Sequence, residues 1–131
     1  MESVDLPDDL QELMEYHGHL CFGVLLGYRA CKYAVEIIGL AEKMTVVTAS
    51  EDCANDAIRK LLGCNAVNGK LISKQGKKQS WAFYNHEEEE GVRLSPNPGL
   101  TAQMPKDKEQ SLQFLLQLPG NLVFNVEPFN V

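Results

Sequence analysis

Tyr16 to Gly23 reads YHGHLCFG and gathers two of the chain's three histidines and one of its four cysteines. Imidazole nitrogen and thiolate sulfur are the donors that a borderline-soft divalent ion accepts in a tetrahedral shell. His17, His19 and Cys21 stand at alternate positions, and alternate residues of an extended segment project to the same side. A continuous helix would fan them out, but Gly18 argues against one. The competing reading is a turn with surface histidines, followed by a buried helix.

A second cluster of chemistry lies in EDCANDAIRKLLGC. Asp52 suits a helix N-cap, which makes Cys53 the first residue inside that helix. There the positive end of the helix dipole and unpaired backbone N–H groups favour a thiolate, and hence a ligand or a nucleophile. The alternative is a small buried residue packing on the strand before it. Cys64 lies past the other end of the same helix, a poorer nucleophile but still a candidate ligand. Asp56, one turn from Cys53, reads as an orienter of a histidine ligand, as an acid–base group, or as a solvated helix carboxylate.

Five donors, His17, His19, Cys21, Cys53 and Cys64, exceed what one tetrahedral site uses. His19, Cys21 and Cys53 form the expected core set. His17 follows, because the end of its helix could turn it away. Zinc is the foremost expected ion, and nickel and iron tolerate the same ligands. The alternative chemistry is catalytic, with Cys53 as nucleophile or a metal-bound water assisted by Asp56 and a histidine. Cys31, mid-helix among apolar residues, reads as core, and His86, beside an acidic run, as surface. Arg29, two turns past Cys21, reads as a surface ion pair, with an anion or a partner carboxylate as the alternative. No phosphate-binding glycine loop, dinucleotide fingerprint or nucleophile elbow is present.

The elements that must position these residues follow from periodicity. Leu10, Leu13, Met14 and His17 recur at helical spacing after Pro7, and Gly18 can end that helix. GVLLGYRACKYAVEII, Gly23 to Ile38, is a second, largely apolar helix closed by Gly39. Gly23, Gly27, Ala30 or Cys31, and Ala34 form a stripe of small residues that lets another backbone approach, within one subunit or between two. MTVVTAS is a β-branched strand. In the helix after it, Ala54, Ala57, Ile58, Leu61 and Leu62 make an apolar face ended by Gly63. KLIS and QSWAFYN read as a hairpin around QGKK, and HEEEE leads through a solvated turn into GVRLSP. KDKEQSLQFLLQL is an amphipathic helix stopped by Pro119 and Gly120. LVFNV is a last strand that Pro128 would confine to a sheet edge. The pattern predicts a single α+β domain over residues 1–131, with N-terminal helices followed by a small, mainly antiparallel sheet.

The composition bounds the setting. The chain has 131 residues, 44% of them hydrophobic and 23% charged, as in an ordinary soluble domain. A net charge of −6 argues against general nucleic-acid binding, which needs a basic surface. The one basic cluster, Lys70 to Lys78, reads as a solvated hairpin. No stretch approaches the roughly 20 apolar residues of a membrane span. The acidic start MESVDLPDDL resembles neither a signal nor a transit peptide, so a cytoplasmic protein with reduced cysteines is expected. There is no CxxC pair and hence no zinc ribbon.

Taken together, YHGHLCFGVLLGYRACKYAVEIIGL and EDCANDAIRKLLGC resemble the FmdE family, named for a component of formylmethanofuran dehydrogenase. The first block matches at His17, Gly18, His19, Cys21, Gly23, Gly27 and Arg29. The second matches at Cys53, Asp56, Ala57, Ile58, Gly63 and Cys64, and a hairpin at Gly76, Lys77, Phe83, Tyr84 and Asn85. Phe22 stands where the family usually has proline. The likeness is to the family's core domain, without the zinc-finger extension that some members carry. It implies an α+β core, intertwined homodimers and metal near the His/Cys motif. It also implies association with a molybdenum or tungsten oxidoreductase that fixes carbon dioxide onto methanofuran. Any part in that redox step would be accessory, since no pterin or iron–sulfur motif is evident. The expected role is therefore a small metal-binding accessory, carrier or sensor, and the alternative is a metal- or cysteine-dependent enzyme.

Overall fold

The computed structural model describes residues 8–18, 21–39, 42–49, 53–65, 67–74, 79–100 and 107–129. His19, Asp52, Gly76 and Lys77, all singled out by the sequence, lie outside the described residues.

Helix α1 (Asp8–His17) buries Leu10 and Leu13 and carries Asp8 and Asp9 in its first turn, where the helix dipole favours negative charge. It ends where the sequence expects. The Gly18 N–H bonds back to the Met14 carbonyl, and Gly18 takes φ +105°, a backbone region costly for any residue with a Cβ. Helix α2 (Phe22–Ile38) is the central element. Its buried residues, among them Val24, Leu25, Ala30, Cys31, Ala34 and Ile38, lie all around the helix rather than along one stripe. That pattern suits a helix covered on several sides. It lies against α3 (Ala54–Leu62), α4 (Lys108–Gln117) and the strands β3 (Trp81–Asn85) and β4 (Glu90–Pro96).

The sheet is completed by β1 (Met44–Thr48), β2 (Leu71–Ser73) and β5 (Phe124–Pro128), in the order β2-β1-β3-β4-β5. β1 and β2 pair in parallel, Val46 opposite Leu71, while β1–β3, β3–β4 and β4–β5 pair antiparallel. The α+β class and the mainly antiparallel sheet thus agree with the sequence reading. Met44, Val46, Trp81, Phe83, Val92, Leu94 and Phe124 are buried and join the helices in one core.

The hairpin expected between KLIS and QSWAFYN does not form. β1 lies between β2 and β3, Val46 facing Leu71 on one side and Phe83 on the other. A helix, α3, separates β1 from β2, so the chain returns parallel to β1, as strand–helix–strand units do. β2 has only three residues, with Ile72 and Ser73 exposed, whereas β1 alternates buried and half-buried positions. The more apolar strand takes the place with two neighbours. The second turn forms as expected: Asn85 faces Glu90 across β3–β4, and the Asn85 side-chain oxygen accepts the Glu87 and Glu88 N–H groups.

Near the C-terminus, Asp107 caps α4 by accepting the Gln110 N–H. Leu122 and Val123, read as the start of the last strand, instead belong to a short helix α5 (Gly120–Val123). β5 begins at Phe124 and occupies the edge that Pro128 calls for. Phe124 stacks on Tyr33 and meets Trp81 edge-on at 6.0 Å. No helix among the described residues is long and apolar enough to cross a membrane.

Candidate metal centre

Three helix ends meet beside Gly23. α1 delivers His17 as its last residue, and the extended backbone of Cys21 (φ −128°, ψ 168°) forms the N-cap of α2. Cys53 is itself the N-cap of α3, which begins one residue later than the sequence suggested. The approach of α3 depends on the small residues of α2. A Cβ at Gly27 would lie 2.7 Å from Ala54 Cα, and one at Gly23 would lie 3.1 Å from Cys53 Cβ. The stripe therefore serves packing within the chain, and Gly23 and Gly27 are what allow Cys53 to reach Cys21.

The result is the one grouping of three or more His, Cys, Asp or Glu donors spaced for a metal ion among the described residues. One ligand atom from each of His17, Cys21 and Cys53 lies within 4.8 Å of the other two. A tetrahedral ion with its usual bond lengths would separate two sulfurs by about 3.8 Å and a sulfur from a nitrogen by about 3.5 Å. The Cys21 Sγ to His17 Nε2 distance is 3.7 Å, so only small side-chain rotations separate this arrangement from a coordination shell. The residues present fit a soft divalent ion.

Behind the three donors stands an ordered carboxylate. His17 Nδ1 donates to Asp56 Oδ2 at 2.6 Å, and Arg59 donates to Asp56 Oδ1 at 2.9 Å. A carboxylate only accepts, so Nδ1 carries the proton, and in the neutral imidazole Nε2 presents its lone pair toward Cys21. This is the second-layer arrangement by which metal-binding histidines are held in one tautomer. The Asp56 hydrogen bond raises the His17 pKa above its ordinary 6.5, against the opposing effect of burial. Burial alone would raise Asp56, but its bonds to His17 and Arg59 prevail and hold it below the usual carboxylate value. At Cys21 burial also pushes upward. The Val24 N–H at 3.4 Å, the Cys53 thiol and His17 outweigh it and leave the thiol below its usual value. The N-termini of α2 and α3 both face this spot, which favours negative sulfur.

His17, ranked behind His19 in the sequence reading, is the histidine that the structure brings to the two cysteines. Its helix ends at the turn without carrying it away. Cys64 is not brought to them. It lies past the far end of α3, fully buried, donating to the Met44 carbonyl at 3.5 Å, and burial raises its pKa. A thiol so placed has no path to the His17 group across the length of the helix. Asp56 joins the cluster through His17. Cys31 is core, and His86 is exposed and bonded to Thr45 Oγ1 at 2.7 Å.

Two readings of arginines change. Arg29, read as a surface ion pair, instead donates to the carbonyls of Leu115, Leu116 and Leu118 at the C-terminal end of α4. Those carbonyls lack helical partners, and a guanidinium there satisfies them and the negative end of the dipole. Arg59, which the sequence reading passed over, fixes Asp56. The signal was available, since an acid and a base three apart on one helix face are neighbours.

The profile described as "FmdE, Molybdenum formylmethanofuran dehydrogenase operon" matches residues 16–118, well over half of the chain. The chain belongs to the FmdE family. The crystal structure of a tungsten formylmethanofuran dehydrogenase FmdE-like protein from Syntrophus aciditrophicus has the same fold. It aligns with a TM-score of 0.75 and 17% identity over 93% of this chain and 70% of that one. A relative from Archaeoglobus fulgidus, named a probable S-adenosyl-L-methionine-binding protein, is 28% identical over 91 residues. The match covers 63% of this chain, which spans about a quarter of the length of that curated relative, 25%. Both the motif around His17 and Cys21 and the segment around Cys53 and Asp56 fall within the family match.

Proposed function

We propose that this FmdE-family chain is a small metal-binding protein in which His17, Cys21 and Cys53 hold a divalent soft metal, zinc foremost. Its role is that of an accessory, carrier or sensor beside an oxidoreductase of one-carbon metabolism. The observation that carries the reading is the meeting of one imidazole and two thiols from three helix ends, with Asp56 holding the imidazole from behind. His19 stays in the proposal as a candidate fourth ligand. Partner subunits and the expected homodimer and cytoplasmic location are part of the same proposal and rest on the family resemblance.

A bound ion would supply Lewis acidity and a fixed positive charge. The chain's own groups bind and orient. Cys21 and Cys53 supply charge to match the ion, and Asp56 with Arg59 sets the ring of His17. This arrangement supports a binding role for Asp56 more than the alternative of an enzyme with Cys53 as nucleophile. Both Asp56 oxygens are engaged, one by His17 and one by Arg59. The carboxylate is thus occupied in positioning rather than held ready for a substrate proton.

The test is elemental analysis of tag-free protein purified without added metal, beside Cys53→Ser and Cys21→Ser variants. About one ion per chain in the native protein, falling sharply in both variants, is the expected result. Unchanged metal content in both variants would overturn the site. A chain with no metal in any sample, and no uptake of added zinc, would turn attention to Cys53 as a reactive thiol.

A further inference from the structure

We propose that Cys21 and Cys53 are an oxidisable dithiol that closes to a disulfide when the protein meets a low-molecular-weight disulfide. The four cysteines are all unbridged, and they fall into two kinds. Cys31 and Cys64 are 1% and 0% exposed and sealed in the core. Cys21 and Cys53 are half-buried, at the surface ends of α2 and α3. Their sulfurs lie within 4.8 Å of one another.

The backbone has already brought the two N-caps together. A Cβ built on Gly23, two residues from Cys21, would lie 3.1 Å from Cys53 Cβ and 3.8 Å from its sulfur. A disulfide needs its own Cβ atoms roughly 3.5–4.5 Å apart. The sulfurs of Cys21 and Cys53, already within 4.8 Å, must close to about 2.05 Å by movement at two N-cap residues that begin their helices.

The chemistry balances as two exchanges. One protein thiolate attacks a sulfur of the small disulfide; the S–S bond breaks, and one small thiol leaves with a proton. The second protein thiolate then attacks the mixed disulfide and releases the other small thiol. The protein loses two electrons and two protons, and the small disulfide gains them. Two thiols tied to one another no longer offer thiolates to a metal. Oxidation and metal binding therefore exclude each other; this consequence rests on the metal reading above, whereas the disulfide does not.

The experiment treats the full chain, stripped of metal by a chelator, with oxidised glutathione and follows intact mass and titratable thiols. The expected product has lost the mass of two hydrogens, and its thiols fall from the four of the reduced chain to two. Its peptide map joins the segment holding Cys21 to that holding Cys53, and a dithiol reductant reverses the change. Cys53→Ser and Cys21→Ser should each stop at a single glutathione adduct. A native protein that accumulates adducts without closing, or that links Cys31 or Cys64, would overturn the proposal. A parallel sample loaded with zinc separates the two readings, since metal-bound thiolates should close at least about tenfold more slowly. Closure at an equal rate with zinc present would sustain the dithiol and count against the metal site.

Discussion

At the scale of single residues, the decisive relation is the one between His17 and Asp56. The carboxylate fixes which imidazole nitrogen is protonated and leaves the other toward Cys21. Asp56→Asn should keep the fold yet weaken zinc binding by roughly 10–100-fold, as loss of an outer carboxylate typically does. Competition against a chelating dye measures that directly. The pair also sets a pH dependence with two opposed signs. In the metal-free protein, His17 has a raised pKa, so its contribution to stability is complete below the unfolded value of about 6.5. That contribution is lost as pH rises through the folded value. Asp56 is lowered, so its contribution is present above its unfolded value and is lost as pH falls through the folded one. Metal binding runs the other way at His17, because Nε2 must shed its proton to ligate. Zinc affinity should therefore climb steadily as pH is raised through the His17 pKa, with its midpoint above that of an ordinary histidine. Titration of affinity against pH checks it; a flat profile would remove His17 from the shell.

At the scale of elements, two contacts decide where the helices sit. Gly27 meets Ala54 so closely that an added methyl must displace α3 or α2. Gly27→Ala should cost about 1–3 kcal/mol by overpacking and should also lower metal affinity, because Cys53 begins the displaced helix. Arg29 ties α2 to the end of α4 through three carbonyls. Arg29→Ala leaves those groups without their charged donor and should lower stability by roughly 1.5–3 kcal/mol. Arg29→Lys should recover only part of that, since a point ammonium cannot reproduce a planar fork. Chemical denaturation measures both. Zinc binding by the Arg29 variants should match the native protein, which distinguishes this structural arginine from the groups at the centre.

At the scale of the whole molecule, the site links parts of the chain distant in sequence. His17, Cys21 and Cys53 close α1, α2 and α3 against one another, and α2 in turn rests on the sheet through the core around Trp81, Phe83 and Phe124. An ion held at this junction binds the folded chain and not the unfolded one, so it stabilises the fold by mass action, about 2.7 kcal/mol at a hundredfold excess over Kd. Added zinc should raise the thermal midpoint of the native protein and leave that of Cys53→Ser unchanged in differential scanning calorimetry. The small-residue stripe of α2, compatible from sequence with a contact between subunits, is used at Gly23 and Gly27 by α3 of the same chain. Those two positions are thus occupied within the chain, and sedimentation equilibrium tests whether the homodimer that the family resemblance implies forms.

Local rules were enough for much of this protein. Helical spacing located α1, α2 and α3; Gly18 and Gly63 marked helix ends; the acidic run marked a turn; and donor types singled out His17, Cys21 and Cys53 as candidates. Each of these depends on neighbours within a few residues, which a sequence displays. What the sequence left open depended on which distant segments meet. Leu71–Ser73 pairs with β1 and not with β3, because strand neighbours are chosen by competition for the apolar centre of the sheet. Arg29 finds carbonyls more than eighty positions away. Five donors exceeded what one site uses, and the ranking drawn from the sequence put His19, which lies outside the described residues, ahead of His17. Tertiary packing joined His17, Cys21 and Cys53 and sealed Cys64 in the core, because Gly23 and Gly27 of α2 admit the start of α3 and the nine residues of that helix carry Cys64 away from it.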